Sequence, residues 1–244
     1  MTSAICNAGL VAFLLVSLAV GLRLLLLWRK THGLPELMIG AGFLVGGAFG
    51  FIPEHLVIAG AIQAPWDGPI LAVAELAIRA TAVLCAVFTW RVFQPESGWA
   101  RNLTLGIGAA LALAYVAHPG PWATAETPLA WQASILTALV RSGAFAWAAV
   151  EALREGMMAR RRARLGLVSP ATARRFLLWG FAMIGPSCMS AVPLLTRWLL
   201  QPDPGPDLFW AGLQSFLGLM GALAMAAAFL LPERAKEERT VEVS

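Results

Sequence analysis

The stretch ILAVAELAIRATAVLCAVFTW, residues Ile70–Trp90, decides the fold of this chain. It runs without a glycine or proline and carries only two charges, Glu75 and Arg79. About 20 mostly apolar residues in a helix cover the roughly 30 Å hydrocarbon core of a bilayer. Backbone polar groups in lipid find no water to bond, so such a segment must satisfy them internally as a helix. The spacing of Glu75 and Arg79, four apart, puts both on one face.

Windows of the same kind recur on either side. They predict further spans at Ile5–Leu27, Leu34–Gly60, Leu103–His118, Trp131–Leu153, Phe176–Trp198 and Phe209–Leu231, seven in all. Hydrophobic residues make up 59% of the 244-residue chain and charged residues only 13%, about half the share of an ordinary soluble domain. Mean hydropathy is +0.71. The expected fold is an all-α polytopic membrane protein, a seven-transmembrane-helix bundle over residues 1–232, with a short disordered cytoplasmic tail at 233–244. Met1–Asn7 lacks the basic start and cleavage site of a signal peptide, so the first span is expected to stay.

The basic residues set the orientation. Arg29 and Lys30 follow the first span, and Arg91 and Arg101 flank the connection after the third. Arg154, Arg160, Arg161, Arg162, Arg164, Arg174 and Arg175 fill a connection of about twenty residues after the fifth. Asp67, Glu126, Asp203 and Asp207 lie in the opposite loops. This asymmetry predicts the N-terminus outside, the C-terminus cytoplasmic and, for a bacterial chain, the inner membrane. It also accounts for the isoelectric point of about 9.5 without any nucleic-acid partner. The run Arg160, Arg161, Arg162 and Arg164 would touch anionic headgroups or a cytoplasmic partner.

Small residues mark the helix contacts. Gly42, Gly46 and Gly50 form a stripe on the second span, and Gly218, Ala222 and Ala226 one on the seventh. A missing side chain lets a neighbouring backbone approach. Laying the second span over the sixth at an offset of 140 residues matches Gly40 with Gly180 and Pro53 with Pro193. The offset also places the third span on the seventh, which makes a parallel three-plus-one-plus-three repeat geometrically possible.

Chemistry is concentrated in five residues at membrane depth: Glu54 and His55 on the second span, Glu75 and Arg79 on the third, Arg141 on the fifth. Charges there are expensive unless paired or wet, so they are expected to face inward. One reading is an ion-pair network that fixes helix register. The other is an outward-facing polar cavity holding a small polar or anionic ligand, completed by Tyr115, His118, Gln214 and Ser215. No hydrolase, phosphate-loop or metalloprotease motif occurs, so no enzyme is expected. Cys6, Cys85 and Cys188 are isolated, and no facing histidines suit a metal or haem. The lysines, Lys30 and Lys236, are both cytoplasmic, which rules out a retinal Schiff base. No cofactor is expected.

Residues Thr31–Leu37, Arg164–Leu167 and Arg175–Gly180 resemble segments of uncharacterised seven-helix bacterial integral membrane proteins. That resemblance implies a layout and no activity. In topology the chain is similar to rhodopsins and to sugar transporters of the three-plus-one-plus-three type, an analogy that carries over no residue. The expected function is a small receptor or sensor that signals through the fifth and sixth spans to the basic loop. The alternatives are a small-solute transporter and a structural subunit of a membrane complex.

Overall fold

The computed structural model describes residues 2–117, 128–199 and 208–229. Among these residues the chain is helical with no strand, arranged as seven rods. The first is α1 (Thr2–Thr31). The second joins α2 (Leu34–Leu44), a π-helical stretch (Val45–Phe51) and α3 (Ile52–Ile58). Then follow α4 (Asp67–Phe93), α5 (Gly98–Ala117), α6 (Pro128–Arg164), α7 (Pro170–Leu199) and α8 (Leu208–Phe229). Five rods, ending with α6, are long and apolar enough to cross a membrane, so this is a multi-pass membrane protein.

The rods close into a ring. α1 packs on α2 and α8, the second rod on α4, α4 on α6, α6 on α7, and α7 on α8. α5 stands outside the ring against α4 and α6. It buries one stripe of Ala100, Thr104, Ile107, Leu111 and Ala114 while Leu105, Leu113 and Val116 are exposed.

Large apolar side chains point outward all round the bundle, among them Leu22, Phe49, Leu76, Leu139 and Phe181, whereas alanines fill the interior. Lipid tails are as apolar as leucine, so leucines gain little by turning inward. Close backbone contact decides which faces meet. A Cβ added at Gly46 would lie 2.6 Å from the Thr81 hydroxyl, and one at Gly50 2.6 Å from Ile78. Gly42 faces Leu84, and the Thr81 hydroxyl donates to its carbonyl at 3.3 Å.

The π-helical stretch, Val45–Phe51, is a feature of the second span that its apolar length does not predict. In an α-helix every fourth residue overshoots a full turn by about 40°. A stripe at 42, 46 and 50 would therefore rotate away from α4. The wider π turn offsets that drift, with the Ile52 amide bonding Gly47 O five residues back. Pro53, which has no amide hydrogen to give, follows directly.

Two helix ends also differ from the sequence reading. α6 continues to Arg164, so the connection of about twenty residues narrows to Leu165–Ser169. Gly166, at φ 71°, closes the helix: its amide reaches Ala163 O and that of Leu167 reaches Arg162 O, both at 3.0 Å. Only glycine takes that backbone freely. The Ser169 hydroxyl then accepts from the Ala171 amide and starts α7 at Pro170. Gly60, φ 73°, ends the second rod in the same way.

The second rod and α7 make similar glycine contacts with α1 and α6. A Cβ at Gly40 would lie 3.1 Å from Gly21 O and from Leu25, while one at Gly180 would lie 3.1 Å from Ala149 O and 2.6 Å from Leu153. Each glycine thus meets a carbonyl and the leucine four residues on. Thr81 bonds Gly42 O, and a Cβ at the corresponding Gly221 would sit 3.5 Å from the corresponding Ala182 O.

Gly50→Val should lower unfolding free energy by about 1–3 kcal/mol, because the branched side chain forces α4 away. Gly106→Ala and Gly143→Ala, where an added Cβ meets nothing within 4 Å, should leave it unchanged or slightly raised. Detergent-titrated unfolding of the purified protein measures both.

Candidate functional site

α4 and α6 are packed against each other, and each presents an arginine to the interior. Arg79 lies on the α4 stripe of Ala74, Ala77, Ile78, Ala82 and Ala86, all buried, and is itself only 5% exposed. Its Nη1 pairs with Glu75 Oε2 at 3.2 Å one turn back. Nη2 donates to Thr137 Oγ1 on α6 at 3.5 Å, and the guanidinium carbon stands 5.1 Å from the Tyr115 ring centroid on α5. One cation therefore ties three helices together. Tyr115 is held by its own hydroxyl, which donates to Ala72 O at 3.3 Å.

Arg141 follows Thr137 by one turn, on the stripe of Ala133, Thr137, Ala144 and Ala148, which are buried. Among the described residues it makes neither an ion pair nor a hydrogen bond, and its Nε is buried without an acceptor. It remains within electrostatic reach of Glu75, Glu54 and Arg79. Glu54 continues the stripe of Gly42, Gly46 and Gly50, which brings it near Glu75 and Arg141. The π turn is what keeps that stripe on α4.

Four of the five sequence-derived residues, Glu54, Glu75, Arg79 and Arg141, thus form one half-buried cluster. His55 is spent otherwise. Its Nδ1 hydrogen-bonds Phe51 O at 2.8 Å, within its own helix. His118 and the Gln214 side chain lie outside the described residues; Ser215 is half-buried on α8. Among the described residues no three His, Cys, Asp or Glu side chains converge at metal-binding range.

Several polar contacts escaped the sequence reading. Ser142 and Ser187 clasp α6 to α7, each hydroxyl donating to the other's carbonyl at 2.9 Å. Glu151, 7% exposed, accepts from Gln94 Nε2 at 3.3 Å on both oxygens and lies 3.8 Å from Arg154. Serines four residues from other small residues carry no distinguishing pattern. Glu151 lies near the end of the expected fifth span, where nothing in the sequence marks Gln94 as its partner. Thr137, four before Arg141, was the one readable signal.

No family model, no curated protein and no solved structure matches the chain.

Breaking one partner of a buried pair strands the other charge, whereas replacing both removes the burden. Arg79→Met and Glu75→Met should each destabilise the protein by about 2–3 kcal/mol, and the double variant should lose less than either. The same unfolding titration, run as a double-mutant cycle, checks this.

Proposed function

We propose that the chain is a seven-helix receptor of the bacterial inner membrane, N-terminus outside and C-terminus cytoplasmic, which binds a small carboxylate at Arg141. The reading is carried by one observation: the Arg141 guanidinium, on the buried stripe of α6, has its Nε buried and no hydrogen-bond partner among the described residues. An arginine in such a place costs several kcal/mol, and its planar fork matches a carboxylate bidentately. Glu75 is already engaged by Arg79, which leaves the Arg141 donors for a ligand. Glu54 nearby would favour ligands that also carry a donor, such as a hydroxyl.

Signalling follows from the length of α6. Its 37 residues make a rod of about 55 Å, longer than the membrane is thick. Arg141 and the run Arg160, Arg161, Arg162 and Arg164 share that rod, so a ligand that shifts α6 moves the basic end with it.

A transporter is the second reading, favoured by the like approach of Thr81 to Gly42 O and of Gly221 to Ala182 O, one pair lying 140 residues after the other. Gly42, Gly46 and Gly50 pack within the chain's own bundle, so these glycines do not speak for a structural subunit.

Thermal melts of the purified protein in nanodiscs test the site. At least one of acetate, lactate, succinate and benzoate should raise the melting temperature through preferential binding to the folded state. Arg141→Gln should abolish the shift while retaining helical circular dichroism. No shift from any of the four would refute the reading. Uptake of the active carboxylate into proteoliposomes would decide for transport. For topology, alkaline phosphatase fused to the C-terminus should be inactive and green fluorescent protein there should fluoresce.

A further inference from the structure

The hairpin that joins α6 to α7 reaches well past its neighbours. Gln94, in the turn between α4 and α5, bonds Glu151 on α6 at 3.3 Å, which fixes the level of that turn on the rod. From Glu151 the helix continues to Arg164, a further rise of about 20 Å. Trp90 and Trp99 flank the same turn, and the Arg91 guanidinium stands 4.4 Å over the Trp90 ring. Such aromatic and basic residues mark a membrane–water boundary, and the headgroup layer beyond it is about 5–8 Å deep. The tip at Leu165–Ser169 therefore stands in water.

Its base is held by rings. Trp179 on α7 meets Phe43 at 6.1 Å between centroids, Phe88 at 5.7 Å and Phe229 at 5.6 Å, all edge to face. Phe176 meets Phe93 at 5.9 Å. Beyond the rings α6 and α7 stay packed. A Cβ at Gly156 would lie 2.8 Å from Leu177, and Ala159 and Ala173 are buried. At the tip the Leu165 and Leu167 amides both bond Arg162 O, at 3.1 and 3.0 Å. The tip is a bonded turn on two packed helices, so what it presents is fixed.

That surface is both apolar and basic. Leu165 is 73% exposed and Leu167 70%. Elsewhere on the bundle an exposed leucine meets lipid; here it meets water, and covering it is favourable. Around the pair, Arg160, Arg161, Arg162, Arg164 and Arg174 are exposed. The first four make no ion pair among the described residues, and Glu155 is the one carboxylate between Arg154 and Arg175 in the sequence. Headgroups would answer the charge, yet they lie too far back to cover the leucines. An acidic protein segment with apolar side chains answers both.

We propose that the α6–α7 tip docks an acidic amphipathic segment of a cytoplasmic protein, its carboxylates on the arginines and its apolar side chains over Leu165 and Leu167. The proposal rests on the membrane orientation proposed above and uses nothing of the Arg141 site. In a receptor, this is the surface that passes a movement of α6 to its partner.

Fluorescence anisotropy of labelled peptides, added to the full-length protein in phosphatidylcholine nanodiscs, tests this. A nanodisc leaves both faces open, so orientation does not enter the result. The first peptide is a helix with leucines on one face and glutamates on the other. The second has serine in place of each leucine. The first should bind above the level of empty nanodiscs, and the second about tenfold more weakly. Leu165→Ser combined with Leu167→Ser should weaken the first peptide about tenfold and leave the second unchanged. Arg160→Gln, Arg161→Gln and Arg164→Gln together should weaken both about tenfold at low salt and flatten the fall of affinity with added salt. All these positions are exposed, so helical circular dichroism should match the wild type. No binding above empty nanodiscs, or equal binding of the two peptides, overturns the proposal. So does a leucine-pair variant that binds the first peptide as the wild type does. Phosphatidylglycerol retained by the detergent-purified wild type and lost from the arginine variant, without peptide binding, would give the tip to headgroups instead. A carboxylate melt shift that survives any of these outcomes leaves the Arg141 reading standing.

Discussion

Backbone-to-backbone approach through missing side chains is the constraint on which this structure depends. In water a helix turns its leucines inward, and their burial decides which faces meet. In a bilayer that preference is nearly absent, and this chain turns leucines outward on every side of the bundle while alanine and glycine meet inside. Gly40 against the Gly21 carbonyl, Gly46 against Thr81 and Gly180 against the Ala149 carbonyl fix the relative height and rotation of neighbouring rods. Each leaves too little room for even one methyl group without movement. The rods are held at these points, and everything carried on them inherits the setting.

The arginine cluster is the main inheritor. Arg79 and Arg141 face each other's surroundings because the small-residue stripes of α4 and α6 face the interior, and both arginines lie on those stripes. Glu54 arrives by the same logic through the glycines of the second rod and the π turn that keeps them aligned. Glu75 and Arg79 neutralise each other, and Thr137 and Tyr115 take up further contacts of Arg79. Among the described residues, the remaining cation has charge around it and no bond to it. A closed ion-pair network would have left none over.

The bundle interior therefore has two chemical layers, charged towards the Ala59–Trp66 connection and aromatic towards the hairpin at Leu165–Ser169. α6 crosses both, with Arg141 in the first and Phe145 one turn further in the second. Between the layers sit hydroxyls that bond within or across helices: Thr81 to α2, and Ser142 to Ser187. These satisfy backbone carbonyls and leave the arginines to one side and the rings to the other.

The sequence by itself determined that the chain is helical and built for a membrane, and where most rods begin and end, the hairpin between α6 and α7 excepted. These properties are local: they follow from apolar length, from glycine and proline at rod ends, and from four-residue spacing. The pairing of Glu75 with Arg79 was readable for the same reason. The tertiary structure alone decided which rods are neighbours, and with that the partners of each polar group. Tyr115 and Ser187 bond residues on other helices, so no spacing within one helix announces those partners. His55 looked equal to Glu54 in sequence yet turned to its own backbone. The π turn answers a demand set by α4, a helix the second span meets only after folding, and no run of seven residues could state that demand on its own.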